Sequence, residues 1–331
     1  MKHVFVFNPK SFLDKGKMDF IIDVIGQYFR KQEHPHFSIQ ISHFPRDAIG
    51  CVRREVKIAE EGETVRIYAI GGDGILFDCL NAIMDFPNTQ LASIPYGNSN
   101  DFVRSFGEGL EEQFKDISKI TDGDVIPTDV IAAGFNYALN SCTIGLETAA
   151  IVKANLVTRR YKSLFNRFPF LYVPLTTLCN INGVFDPDLL NQEYELIIDG
   201  VDFSGCYASI NIANGPCYGG NKTPSPKARP DDGFLNVILF KSMGAIRTLI
   251  RLNDFLHGKT PADCKIIRAQ KIEVKSKAAL QIQLDGEVFF DTSLTIQVQP
   301  ASVQIVTLKG LTYDRSVVKK GKISNGKSRS K

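Results

Sequence analysis

Apolar positions in the first 128 residues follow two alternating periods. Val4–Phe7 is a short apolar run, and Met18–Lys31 then sets Phe20, Ile21, Val24, Ile25, Tyr28 and Phe29 on one face at helical spacing. Phe37–Ile41 alternates as a strand does, and residues 46–61 form a charged helical stretch that stops near Gly62. Val65–Ile70 is apolar throughout and runs into Gly71-Gly72-Asp73-Gly74, after which LFDCLNAIM resumes the helical period. Leu91–Ile94 is another buried strand and ends at Pro95-Tyr96-Gly97-Asn98-Ser99-Asn100-Asp101. Strands interleaved with helices in this way predict βαβ units, a parallel sheet, and ligands at the strands' C-terminal ends.

After about residue 128 the period falls to two. Asp129–Ala133, Tyr137–Ile144, Tyr194–Ile198, Tyr207–Asn214, Phe234–Phe240, Ile266–Val274, Leu280–Leu284 and Leu294–Val298 are short alternating runs divided by Asn, Gly, Asp and Pro turns. They predict an antiparallel sandwich, with helices over 146–158, 169–179 and 244–257 and a further strand at Val303–Leu308. The expected fold is an N-terminal doubly wound α/β nucleotide-binding domain over 1–128, completed by 303–313. A C-terminal antiparallel β-sandwich domain follows over 129–302, and residues 314–331 are expected to be a disordered tail.

Composition narrows the picture. The chain has 331 residues, enough for two cores, and its 44% apolar fraction is too high for disorder. Net charge is +3, but seven basic and no acidic residues fall between Arg315 and Lys331, leaving residues 1–314 with 32 basic and 36 acidic side chains, a charge of −4. Basicity is thus a tail property, which speaks against a nucleic-acid groove. Seven scattered cysteines without a CxxC fit a reducing compartment. No signal-peptide pattern opens the sequence, and the uncharged stretch Phe168–Phe185 is broken by Pro169 and Pro174. A cytoplasmic protein is expected.

Four segments carry candidate chemistry. In AIGGDGILFDCLNAI a strand delivers a glycine turn that opens a helix, and free N–H groups there suit a polyphosphate. No GK[ST] follows, and an acid amid the glycines makes sense facing magnesium or its waters. A tight turn with Asp73 as N-cap reads equally well. One unit later, SIPYGNSNDF places Asn98, Ser99, Asn100 and Asp101 at the next strand end, so in a parallel sheet Asp73 and Asp101 converge on one cleft. Leu284-Asp285-Gly286-Glu287 alone is a hairpin turn, yet carboxylates from a second domain are what phosphoryl transfer to a hydroxyl requires. NGPCYGGNKTPSPKARPDDGFLNV combines a close-packed glycine loop with Asp231-Asp232-Gly233, which suits a hard cation or a plain turn.

GGDG at 71–74, GNSNDF at 97–102, NGPCYGG at 214–220 with PKARPDDGFLNV at 226–237, and LDGE at 284–287 resemble, in order and spacing, the diacylglycerol kinase catalytic family. The soluble bacterial-type lipid kinases, diacylglycerol kinase-like and sphingosine kinase-like, are the branch most similar to it, and ALNSCTIGLETAAIV at 138–152 fits the same family. The resemblance covers about residues 3–312. It implies ATP- and Mg2+-dependent phosphorylation of a lipid hydroxyl, with diacylglycerol converted to phosphatidate in a cleft between the domains. By position, Asn8, Pro9 and Ser11 resemble nucleotide contacts; Gly71, Gly72, Asp73 and Gly74 resemble the phosphate loop; Gly97 and Asn98 extend it. Asp73, Asn100 and Asp101 resemble a water-and-magnesium network. Asp285 and Glu287 resemble the acids with the proton-accepting role, and sequence does not choose between them. Arg229 and Phe234, through their carbonyls, and Asp232 resemble a structural magnesium site.

The chain departs from the family at Ile75, where GGDGT is expected, at Phe12 after Ser11, and at GNSNDF in place of GTGNDF. Losing the hydroxyl at 75 costs on the order of 1–3 kcal/mol of phosphate binding. A soluble phosphotransferase resembling NAD kinases, which share GGDG and the two-domain plan, is one alternative reading, and a non-catalytic nucleotide or lipid sensor, motivated by Ile75 and Phe12, is another. Expected partners are a lipid at a membrane surface and a second copy of the chain, with no nucleic acid. FPFLYVPLTTLC reads as a core helix or a lipid-facing one, and the tail after Lys319 as a peripheral contact with the inner membrane face or a solvated end. The five histidines show no ligand spacing, and His43 reads as a surface residue.

Overall fold

The computed structural model describes residues 1–12, 14–31, 36–168, 171–220, 222–241, 243–256, 258–259 and 264–313. The expected basic tail, and Pro169 and Phe170 of the apolar segment, lie outside them.

The first half is a wound α/β unit: β1 (Lys2–Phe7), α1 (Lys15–Arg30), β2 (Phe37–Ile41), α2 (Asp47–Lys57), β3 (Val65–Gly71), α3 (Asp73–Ile83) and β4 (Thr89–Pro95). The four strands pair in parallel in the order β2-β1-β3-β4. Strand order therefore reverses between β1 and β3, and the loops after these two strands flank the crevice where such sheets bind ligands. Asp14 caps α1 by accepting the Gly16 N–H at 2.9 Å. Ile21, Ile25 and Phe29 bury against the sheet, but Phe20, expected on the same face, is 67% exposed. The buried positions follow i, i+4, i+8, and Phe20 falls one step off that row. Helix α2 ends at Lys57, short of the expected 61.

Three single-turn helices, α4 (Asp101–Arg104), α5 (Glu111–Phe114) and α6 (Ile117–Thr121), lead to β5 (Asp124–Ala133), β6 (Asn136–Ala138) and β7 (Ser141–Gly145). The run expected over Tyr137–Ile144 is thus two strands, because Leu139 and Asn140 turn the chain between them. Next come α7 (Leu146–Arg160), α8 (Lys162–Arg167), α9 (Tyr172–Gly183) and α10 (Pro187–Leu190). They are followed by β8 (Glu193–Ile198), β9 (Val201–Asp202), β10 (Gly205–Ala213), β11 (Leu235–Lys241), α11 (Ala245–Leu256), β12 (Lys265–Ala269), β13 (Lys271–Leu284) and β14 (Glu287–Thr307). A break at Gln270 splits the expected Ile266–Val274 strand between β12 and β13.

Strands β12-β11-β10-β7-β13 pair antiparallel, and β8 bridges β10 and β13 across the other side. The apolar side chains of this β region form their own buried cluster, including Tyr194, Ile210, Val237, Ile282 and Ile296. Leu294–Val298 and Val303–Leu308, read from sequence as separate strands, belong to one 21-residue strand, β14. Its first half pairs with β13, and its last residues lie parallel to β4 (Ile305 opposite Leu91) and antiparallel to β5. Val303, Ile305, Val306 and Leu308 pack into the α/β core, so the two halves share a strand as well as a cleft. Among the described residues, no helix is long and apolar enough to cross a membrane.

Candidate active site

At the end of β1, Asn8 donates its N–H to the Ile70 carbonyl at 3.1 Å and accepts the Lys10 N–H on its side-chain oxygen, so Asn8, Pro9 and Ser11 stand beside the end of β3. A Cβ on Gly71 would lie 2.9 Å from both Ser11 Oγ and Ile75 Cγ2. Gly72 then caps α3 without a side-chain bond, leaving that helix end lined by backbone N–H groups and a positive dipole.

The loop after β4 presses onto this turn backbone to backbone. A Cβ on Gly97 would come within 2.2 Å of Gly72 Cα, so only glycine fits there. Asn100 takes a left-handed conformation (φ 50°) and closes its own loop, accepting the Gly97 N–H at 3.0 Å and donating to the Gly97 carbonyl at 2.9 Å. Asn98 is exposed at the rim. Asp73 does not cap its own helix. Its carboxylate accepts the N–H groups of Asp101 and Phe102 at 3.2 and 3.4 Å, tying the two loops together.

Asp101 is buried; one oxygen accepts the Gly220 N–H at 3.2 Å, and Oδ1 has no hydrogen-bond partner. Burial, helped by the Asp73 carboxylate, pushes the Asp101 carboxyl up to about 7, and burial raises Asp73 as well. Gly220 belongs to the NGPCYGG segment, which is fixed by Asn214 donating to the carbonyls of Asp129 and Leu139 at 2.8 and 2.7 Å.

The β region supplies the opposite wall. Asp285 sits at φ 46° in the β13–β14 turn, and its carboxylate accepts the N–H groups of Leu139, Asn140 and Ser141 at 2.6 to 3.3 Å. Burial pushes it up to about 6, the three backbone donors pull it down, and the Asp73 charge adds to the rise. Glu287 behaves differently. Its side chain is 44% exposed, its Oε1 lies 3.5 Å from the Cβ position of Gly74, and its Oε2 is 4.0 Å from Arg46 Nη2. Glu287 also lines a pocket of about 190 Å³ together with Asn8, Lys10, His43, Arg46, Gly74 and Ile75.

The structure thus brings Asn8, the 71–74 turn, Asp101, Asp285 and Glu287 to one cleft. Arg229, Asp232 and Phe234 lie elsewhere: Arg229 grips Asp231 at 2.9 Å, while Asp232 accepts the Phe234 N–H and an Arg268 guanidinium N–H. Both oxygens of Asp232 are thus engaged within the chain. Among the described residues no cluster of three or more His, Cys, Asp and Glu is set to hold a metal. The unpartnered Asp101 oxygen beside Asp73 does fit one, through waters. Sequence reasoning missed Lys10 and Arg46, which line the pocket without a motif around them. It also missed Glu147, a half-buried acid at the start of α7 that accepts the Ser209 hydroxyl at 3.3 Å and that desolvation raises to about 7.

A crevice with glycine turns at a helix N-terminus on one wall and carboxylates of a β domain on the other has the form of a phosphotransferase site. The family model described as Diacylglycerol kinase catalytic domain matches residues 2–133, and the one described as YegS C-terminal NAD kinase beta sandwich-like domain matches 149–307. Together they take in most of the chain, which belongs to the diacylglycerol kinase catalytic-domain family. A Staphylococcus aureus (strain JH9) protein provisionally named a lipid kinase is 28% identical over 282 residues, 83% of this chain and 88% of its own. A strain N315 counterpart gives the same figures. A solved diacylglycerol kinase structure from Bacillus anthracis str. Sterne superposes with a TM-score of 0.69 at 21% identity, covering 92% of this chain and 96% of that one, a likeness of fold. Family membership makes this chain an enzyme of the lipid kinase class, a phosphotransferase that uses a nucleotide.

Proposed function

We propose that the chain transfers the γ-phosphoryl group of ATP, with Mg2+, to a lipid hydroxyl, and that diacylglycerol is the acceptor and phosphatidate the product. The observation that carries this reading is the meeting of acids from opposite walls, Asp73 and Asp101 on one side and Glu287 on the other, at the glycine turn that opens α3. The α3 N-terminus and the Gly72–Gly97 contact leave backbone N–H groups to bind the phosphates. Asp101 Oδ1 and Asp73 would hold Mg2+ through waters, and the ion when bound supplies positive charge to the phosphoryl oxygens.

Glu287 is the proton acceptor. It reaches the turn with its oxygens free of backbone donors, whereas those of Asp285 are taken by three N–H groups. As the acceptor oxygen bonds to the γ-phosphorus and the bond to ADP breaks, the hydroxyl proton passes to Glu287. Asp285 holds the 139–141 turn against the cleft and so positions that wall.

A bilayer-borne acceptor fits the outer surface. Phe185, Ile246 and Ile250 expose apolar side chains along one shallow groove with Arg247 and Arg251, and Leu178 and Ile181 of α9 are also exposed. Apolar side chains beside arginines suit an anionic lipid interface.

Labelled ATP with mixed micelles of diacylglycerol or a sphingoid base, and separately with NAD, tests the reading. Labelled phosphatidate is the expected product. Label on NAD alone would instead mark an NAD kinase-like enzyme, and Mg2+-dependent ATP binding without transfer would mark a sensor.

A further inference from the structure

Arg46 has the left-handed backbone conformation, φ 68°, that a non-glycine residue seldom takes. Its guanidinium carbon stacks 4.7 Å from the Phe77 ring and 5.4 Å from the Phe289 ring. Nη1 donates to Asp78 Oδ1 at 3.1 Å, and Nη2 stands 4.0 Å from Glu287 Oε2. Phe77 and Asp78 belong to α3 and Glu287 and Phe289 to β14, so one side chain touches both walls of the cleft. It also lines the pocket that contains Asn8, Lys10, Gly74 and Ile75.

We propose that Arg46 reads the terminal phosphate of the bound nucleotide. This rests on the kinase reading and adds a residue to it. The first phosphates belong at the N-terminus of α3. A hydroxyl activated by Glu287 can reach phosphorus only if the last phosphate lies in the pocket that Gly74, Glu287 and the Arg46 fork line together. Guanidinium presents five donors in one plane, matched to phosphate, and Arg46 spends one of them on Asp78. The hydroxyl absent at Ile75 is replaced by a stronger, charged donor from the neighbouring loop. ADP, one phosphate shorter, leaves Arg46 on Asp78 and Glu287.

The test is binding of ATP and ADP to the full-length protein with Mg2+ and no acceptor, followed by displacement of a fluorescent nucleotide. Wild type should prefer ATP, and R46A should lose about tenfold or more of ATP affinity while ADP affinity changes by less than about twofold. R46K keeps the charge between Asp78 and Glu287 but loses the fork; it should melt near wild type and keep only part of the preference. Equal weakening of both nucleotides in R46A, or an unchanged ATP preference in R46A or R46K, overturns the assignment and leaves the kinase reading intact. A wild-type protein that binds neither nucleotide removes both.

Discussion

Two acids two positions apart have opposite surroundings. Asp285 is encased by backbone N–H groups from 139–141, while Glu287 projects into the cleft beside Gly74. Glu287→Gln should therefore lower kcat by about 100-fold or more with little change in melting temperature. Asp285→Asn swaps one acceptor oxygen for a donor facing those N–H groups, so it should lower thermal stability and activity together. Steady-state kinetics beside thermal melts of both variants check this; a melting loss in Glu287→Gln as large as in Asp285→Asn would reverse the roles. Sequence could not divide them, because LDGE shows both and the groups that distinguish them lie about 145 residues away. Asp73 and Asp101 were legible, since each closes a short motif at a strand end. Arg46 was not: in sequence it is one of several charges opening a helix, and only its left-handed backbone aims it at the cleft.

At the scale of elements, three loops hold Asp73, Asp101 and Asp285 near one another, and this has a cost in stability. Unfolded carboxyls titrate near 4, whereas folded Asp285 is raised to about 6 and Asp101 to about 7. The folded protein thus retains protons that the unfolded chain has released. The stability these groups contribute is full below about pH 4 and is lost as pH rises through 6 and 7. Urea melts should show lower stability at pH 8 than at pH 5 without Mg2+, with the gap closing when Mg2+ is added. Asp101→Asn should flatten the pH slope and gain on the order of 2 kcal/mol at pH 8 while abolishing Mg2+-dependent turnover. A slope unchanged in that variant would place the titration elsewhere. The strand–loop–helix order of this region was readable because apolar periods and glycine turns are local signals. The clamp between the 97–100 loop and the 71–74 turn was not, since it is a contact between two backbones.

For the whole molecule, the shared strand governs cooperativity. Ile305 is 1% exposed in the middle of the α/β sheet. Ile305→Ala should cost about 2–4 kcal/mol, and both halves should melt together when followed by separate probes in each. Two separated transitions would show that β14 does not couple them. The division into a wound α/β half and a β half could be read from the change of period near residue 128. The joining strand could not, because Pro300 and Ala301 look like a break, and in the structure they form a bend within β14 where Ala301 (φ 49°) gives its N–H to Asp129 at 2.8 Å.

Because β14 starts with Glu287 and ends inside the nucleotide-side sheet, the spacing between them is counted in single residues along one pleated rod. Deleting or adding one residue between Phe290 and Gln299 would turn the rod by half a repeat and point Glu287 away from Gly74, however well both cores survived. Length variation in this chain should therefore gather in the surface loops and spare that segment.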